Sequence, residues 1–323
     1  MFGVVPKALW EKKFPADERN RVGLESNCLL VRAPGYTALI DAGIGERWDD
    51  KAREIYAIED GPSLVDGLAA CRVAPEDVDA LVLSHLHFDH AGGATREASG
   101  GGGGGLRRTF PNATLYVQRS ELDHARAPNE RDRASYRPAD WEPYAEAGRL
   151  ETIEGEAEIR PGLRVAPLPG HSSGMQSVRV DSQSRTAFFF ADAVPTSAHL
   201  PAAWIMAYDL YPVELLEGKK RLIDRAVAEE WLAVFYHDPD VPWGRIVDEI
   251  NGKRPRPRHR ERTRCVLRGA ARPDAGSRAR GPARQRRPQR GRRSRCEPGA
   301  RPSRTDGDRR AEAIRRRRRL REW

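Results

Sequence analysis

The chain has 323 residues, of which 39% are hydrophobic and 32% charged, with a formal net charge of +9. That charge is unevenly placed: from Lys253 onward there are 28 Lys and Arg against 7 Asp and Glu, a net of +21, so residues 1–252 carry a net of −12. The overall basicity therefore gives no support to a nucleic-acid enzyme, and no apolar run approaches the roughly 18 residues that cross a bilayer.

The four cysteines (Cys28, Cys71, Cys265, Cys296) show no CxxC or other metal-ligand spacing. Cys28 and Cys71 sit among apolar residues and read as buried thiols in a reducing compartment. The N-terminus lacks a charged segment followed by a long apolar core. A soluble cytoplasmic protein with no membrane partner is the expectation.

In chain order, residues 22–31 and 37–41 are strand-like runs joined at Pro34-Gly35, a hairpin ending in Asp41-Ala42-Gly43. Pro62-Ser63 opens a helical pattern with Leu64, Leu68 and Cys71 on one stripe. The apolar run Ala80-Leu81-Val82-Leu83 is a buried strand, and Ser84-His85-Leu86-His87-Phe88-Asp89-His90-Ala91-Gly92-Gly93 is the loop at its end. A glycine-rich insertion follows at 99–106, where backbone entropy argues against any packed element. After the strand 113–117 comes a polar, proline-broken helical segment at 119–149, of the kind that caps a site. Its His124 reads as a surface residue. Strands follow around Ile153, Ile159, 163–165, 177–180 and 186–190, then helix over 213–232 and a strand 232–236.

From Lys253 to Trp323 the chain is rich in Arg and Pro and nearly devoid of Leu, Ile, Val and Phe. Such a segment cannot bury enough apolar surface to offset its ordering entropy. Three readings fit it: a disordered tail, a basic arm for nucleic acid or an anionic surface, and out-of-frame translation of a GC-rich gene. The expected organisation is one folded domain over 1–252 and this tail over 253–323.

The chemistry lies in the strand-end loops. Three imidazoles and a carboxylate in the HxHxDH spacing of His85, His87, Asp89 and His90 form a dense donor set for divalent transition metals. His171 lies in a Pro-Gly-His turn after a strand, Asp192 follows the Phe188–Phe190 strand, and His237 follows the strand ending at Tyr236. Alone, each of these would read as a core or capping residue; together they suggest a metal centre. Two ions about 3.5–4 Å apart can share a water and lower its pKa, which makes metal-assisted hydrolysis the reaction class.

This set of motifs resembles the metallo-β-lactamase superfamily, over about residues 1–252. The resemblance implies an α/β fold, a four-layer αββα sandwich with its site at one edge between the sheets. It implies one divalent ion held by His85, His87 and His171, a second by Asp89, His90 and His237, and Asp192 bridging, with Asp41 orienting a ligand histidine. Asp89 and Asp192 are then the catalytic carboxylates, Asp89 orienting or accepting the proton of the shared hydroxide. Zinc is the expected metal, with iron, manganese and cobalt also admitted by the donors.

The segment from Asp192 to Asp209 is similar to the branch of lactonases and methyl-parathion-hydrolase-like enzymes. That implies a small-molecule lactone or ester substrate, with N-acyl-homoserine lactones, and hence quorum quenching, among the candidates. Thioesters and organophosphates are the enzymatic alternatives. A nucleic-acid-processing or binding protein using the basic tail is the alternative of another class, and the acidic body argues against it. One departure stands out: these lactonases carry a tyrosine three residues after the bridging aspartate, where this chain has Pro195. Tyr208 and His199 are the candidate substitutes. Phe88, Trp204, Ile205 and Met206 are candidates to line an apolar substrate pocket. A homodimer is compatible with all of this.

Overall fold

The protein is described by a computed structural model that covers residues 1–98 and 105–247, together with the backbone of 256–258 and 321–322. Most of the glycine-rich insertion and nearly all of the Arg/Pro-rich segment, with the readings attached to them, lie outside the described residues.

The first half contains α1 (Lys7–Trp10), β1 (Leu29–Ala33), β2 (Tyr36–Ile40), α2 (Asp50–Tyr56), α3 (Leu64–Ala70), β3 (Ala80–Val82), α4 (Phe88–Ala91), β4 (Thr95–Glu97), β5 (Leu106–Arg108), β6 (Thr114–Gln118), α5 (Arg119–Arg126), α6 (Glu142–Glu146) and β7 (Leu150–Ile153). The second contains β8 (Ala157–Arg160), β9 (Leu163–Pro167), β10 (Gln176–Ser182), β11 (Arg185–Phe189), α7 (Pro212–Ala228), β12 (Leu232–Val234), β13 (Trp243–Val247), β14 (Arg256–Arg258) and β15 (Arg321–Glu322).

Among the described residues two large sheets result, ordered β15-β1-β2-β3-β6-β7 and β14-β13-β12-β11-β10-β9-β8, beside a small two-stranded one of β4 and β5. In the first, β2, β3, β6 and β7 run parallel. In the second, neighbours are antiparallel except β11 and β12, which are parallel and joined through α7. The inward faces share one core containing Leu39, Leu81 and Leu115 from one sheet and Val165, Val178 and Phe189 from the other. Phe188 and Phe190 point the opposite way to Phe189, as the two-residue strand period requires, and meet Ile223 and Ala226 of α7 in a separate cluster. On the first sheet, α3 and α5 contribute Leu68, Leu122 and Ala125 to the shared core. The layers are helix, sheet, sheet, helix: the αββα sandwich.

The expected hairpin is present, but pairing begins only at Leu29. Residues 22–28 run without strand pairing because Glu25 and Asn27 instead donate their amides to the carbonyls of His237 and Tyr236. The helix after Pro62 is α3, started by Ser63, whose side chain and that of Asp66 cap each other's backbone amides. β12 stops at Val234 rather than Tyr236, because the chain turns and the Phe235 amide bonds the Pro242 carbonyl. The glycine-rich insertion joins β4 and β5, which pair antiparallel on its two sides. Cys28 is buried and Cys71 half-buried, and among the described residues neither forms a disulfide. Among the described residues, no helix is long and apolar enough to cross a membrane.

Candidate metal centre

Because β10 is antiparallel to both β9 and β11, and β11 is parallel to β12, the C-terminal ends of β9, β11 and β12 share one edge. Those ends lead into His171, Asp192 and His237. In the other sheet, parallel β2 and β3 lead into Asp41 and the loop of His85. The backbone is strained where two of these carboxylates leave their strands: Asp41 has φ +57° and Ala191, just before Asp192, has φ +47°. The Asp41 loop is also pressed against the histidine loop. The Ala42 amide donates to the His90 carbonyl at 2.6 Å, and a Cβ added at Gly93 would lie 2.1 Å from the Ala42 oxygen, so only glycine fits there.

These loops bring the seven expected ligands together. Three groups each place their ligand atoms within 4.8 Å of one another: His85, His87 and His171; His85, His90 and Asp192; and Asp89, His90 and His237. His171 Nε2 lies 3.1 Å from His87 Nδ1 and 3.3 Å from Asp192 Oδ2. Asp192 Oδ1 lies 3.2 Å from both His90 Nε2 and His237 Nε2. One carboxylate thus reaches both sides of the cleft. His237 Nε2 is 3.5 Å from Asp89 Oδ2, and Asp89 is only half-buried, the most open member of the set.

In four of the five rings, those of His85, His90, His171 and His237, the opposite nitrogen is held by a neighbour. His171 Nδ1 donates to Asp209 Oδ1 at 2.9 Å, and Asp209 Oδ2 accepts the Met206 amide at 2.8 Å. His237 Nδ1 donates to the Glu25 carbonyl at 2.9 Å. His90 Nδ1 donates to Asp41 Oδ2 at 2.7 Å, while Asp41 also accepts the Ser84 amide and hydroxyl at 2.6 and 2.7 Å. His85 Nδ1 stands 3.1 Å from the Ser84 hydroxyl. Asp41 thus joins the His90 ring to the Ser84 backbone and hydroxyl. Such bonds fix tautomer and ring direction and turn the other nitrogen's lone pair into the cleft.

The residues fit a divalent ion. His85 Nε2, His87 Nε2, His90 Nε2 and Asp192 Oδ1 are buried without a hydrogen-bond partner, although buried polar atoms are almost always satisfied. The electrostatics of the cleft agree. Burial, reinforced by neighbouring imidazoles, pushes His85 and His87 well below the ordinary histidine range. Burial would do the same to His90, but Asp192, Asp41 and Asp89 outweigh it and hold that ring well above the range. His171 is likewise raised, by Asp192 and Asp209 against burial. Asp192 stays well below the carboxylate range because His237, His90 and His171 overcome its own burial.

The candidate pocket residues divide. Phe88 packs edge-on to Trp48 at 5.2 Å and against Tyr56 at 5.0 Å, forming an aromatic wall next to Asp89. Tyr208 is 58% exposed, and burial together with the Asp89 charge raises its phenol pKa. His199 is a correction: it is fully buried, stacked on Phe2 at 4.7 Å and held by the Thr196 hydroxyl at 2.7 Å, so it packs the N-terminal segment and offers no surface. Burial pushes its pKa down to about 3. Met206 is also buried, with its amide on Asp209, and Trp204 stands edge-on to Phe2 with its carbonyl accepting Lys219 Nζ at 2.7 Å. Both serve the loop that carries Asp209. Pro195 accepts the His237 amide at 2.8 Å through its carbonyl. His124 is half-buried and paired with Asp132 at 2.6 Å, apart from the ligand groups.

Sequence reasoning missed Asp209, Ser84 and the Glu25 carbonyl as ring-orienting groups. Asp209 lies in a loop with no strand before it, so its only signal was its place near the end of a segment already compared with the lactonases.

A family model for the metallo-beta-lactamase superfamily matches residues 21–237. An N-acyl homoserine lactonase of Bacillus thuringiensis is 31% identical over 166 residues, 51% of this chain and 57% of that protein. The chain thus spans little more than half the length of the curated lactonases it matches. A probable metallo-hydrolase of Mycobacterium tuberculosis is 26% identical over 280 residues, covering 75% of this chain and 85% of its own. A crystal structure of a probable metal-dependent hydrolase from Staphylococcus aureus matches with a TM-score of 0.72 and 31% identity, over 79% of this chain and 88% of that one. The dizinc quorum-quenching lactonase AidC, solved with a product, shares the fold at a TM-score of 0.60 and 20% identity, over 74% of this chain and 81% of its own. Two facing sheets, candidate ligands on the loops at one edge and a family match spanning them all lead to one assignment: the chain belongs to the metallo-beta-lactamase superfamily.

Proposed function

We propose that the protein is a metal-dependent hydrolase of a lactone or related ester, with N-acyl-homoserine lactones as the leading substrate class. The observation that carries this is Asp192, whose two oxygens reach ligands on both sides of a cleft that holds six further donors. His85, His87 and His171 would hold one divalent ion, Asp89, His90 and His237 the other, and Asp192 would serve both. Zinc suits an imidazole and carboxylate set of this kind. Such ions would supply Lewis acidity towards the substrate carbonyl and acidify water.

The remaining steps fall to the chain itself. Asp89, half-buried at the mouth, can take a proton from the attacking water and pass it outward. The aromatic wall of Trp48, Tyr56 and Phe88 gives an acyl group an apolar surface beside it. With Pro195 committed through its backbone, Tyr208 is the phenol available to donate to the leaving oxygen. Burial and the Asp89 charge raise its pKa further above the ordinary phenol range.

The test uses the full chain purified without chelator, assayed for metal content and for hydrolysis of a panel of acyl-homoserine lactones, a thioester and an aryl phosphotriester. About two ions per chain with selective lactone turnover is the expected result. Turnover of the thioester or phosphotriester alone would move the substrate class. Absence of bound metal would end the proposal.

A further inference from the structure

One buried carboxylate stands outside the ligand set. Glu121, in the first turn of α5, has no exposed surface. Among the described residues no Lys or Arg pairs with it. Four hydrogen bonds converge on it instead. Oε1 accepts the Leu86 amide at 3.0 Å and the Tyr136 hydroxyl at 3.1 Å. Oε2 accepts the Ser172 hydroxyl at 2.6 Å and the Gly174 amide at 3.3 Å.

The identity of those donors gives the arrangement its meaning. Leu86 lies between His85 and His87, Ser172 directly follows His171, and Gly174 closes the same turn. Tyr136 forms a backbone bridge with His87 and sets its ring 4.8 Å from the imidazole. One oxygen therefore holds the loop of the first two histidines, and the other holds the loop of the third. The two loops come from different sheets. The fit is tight: a Cβ added at Gly174 would lie 2.1 Å from the Glu121 amide nitrogen, so the turn carrying His171 rests directly on α5.

We propose that Glu121 is the positioning residue that sets the His85–His87–His171 pocket, by clamping both ligand loops to one helix turn. This rests on the reading that these histidines hold a metal ion. A buried anion without a cation is costly, and four bonds to ionised oxygens offset that cost. Removing them frees two loops whose separation determines whether three imidazoles can meet on one ion. The Asp89–His90–His237 pocket receives nothing from Glu121, so the effect is confined to one side of the cleft.

The experiment loads full-length wild type, Glu121→Ala, Glu121→Gln and Ser172→Ala with cobalt(II), then records metal stoichiometry, chelator competition, the visible absorption bands and the melting temperature. In Glu121→Ala one of two ions binds about 10–100-fold more weakly, the range typical when a partner of a ligand is lost. Its absorption bands shift, and the other ion is retained. Glu121→Gln recovers part of the loss. Its amide oxygen still serves Leu86 and Tyr136, while its NH2 now opposes the Gly174 N–H. Ser172→Ala shows a smaller loss of the same ion. If Glu121→Ala does not fold, Glu121→Gln and Ser172→Ala decide the matter. Wild-type affinities and spectra in folded variants would overturn the clamp while leaving the proposed function standing. A wild type that binds no cobalt would overturn both.

Discussion

The two halves of the cleft are built on different principles. The pocket of His85, His87 and His171 is all imidazole and almost wholly buried, and its loops are tied to helix α5 and to Asp209. The pocket of Asp89, His90 and His237 contains a carboxylate and opens to solvent through it. It is tied to the strands by Asp41, by the Glu25 carbonyl and by the Tyr236 hydroxyl, which donates to the Asp89 carbonyl at 2.6 Å. Tyr236 also stacks on His90 at 4.1 Å. The first pocket is buried and made of imidazoles alone. The second carries negative charge and access to water. A hydrolase can use that asymmetry, with one side fixing and polarising the substrate and the other handling protons.

The largest expected effect comes from removing what the two sides share. Asp192→Ala should abolish hydrolysis, exceed the roughly 100-fold that partners of ligands cost, and lower the metal content of the purified protein. Elemental analysis beside an activity assay checks it. Retention of both ions would show that the halves do not depend on a common carboxylate.

Next come the separate supports. Asp209→Asn should weaken binding of one ion about 10–100-fold, and Asp41→Asn the other, because each presents an NH2 where a ring N–H now finds an acceptor. Chelator titration of the two variants should show opposite selectivity. Equal losses at both ions would erase the distinction drawn above.

Acidity should separate the halves further. Asp192, Asp41 and Asp89 hold His90 well above the ordinary histidine range against its burial, and Asp192 and Asp209 raise His171 against its own, so a metal ion would compete with a proton at each ring. Apparent affinity should therefore rise with pH as those protons become easier to remove, by up to about tenfold per unit for each proton displaced. The rise should be steeper at the pocket of His90, which faces three carboxylates. Competition experiments at pH 6, 7 and 8 measure it, and a flat profile would contradict the electrostatics.

The smallest effect concerns Tyr236→Phe, which removes one hydrogen bond to the Asp89 carbonyl and keeps the ring on His90. A loss of about 1 kcal/mol in unfolding free energy is expected, read by denaturant titration, with metal affinity nearly unchanged.

Much of this was legible in the chain. The HxHxDH motif is local, and its ligand pattern survives any tertiary arrangement. His171, Asp192 and His237 each follow an apolar strand, a signal that needs no partner to be seen. Asp209 and Glu121 were not legible, because an acid in a polar loop or a helix first turn looks solvent-exposed until the fold buries it. His199 misled for the complementary reason: its position after Asp192 placed it near the site in sequence, while Phe2, almost two hundred residues away, claims its ring. β13 was missed because Pro239 and Pro242 precede it and glycine interrupts it, leaving only Ile246 as a fully buried apolar position.

The order in which the strand ends occur has a consequence for biosynthesis. A nascent chain that has emerged as far as Asp192 already carries every donor of the imidazole pocket, together with the helix turn that clamps its loops. The other pocket waits for α7 to cross the second sheet and for β12 to deliver His237. Closing that long connection is the slow kind of contact in folding. Metal capture during synthesis would thus proceed from the buried side of the cleft to the open side, and hydrolytic competence would arrive only with the last of the ligand-bearing strands.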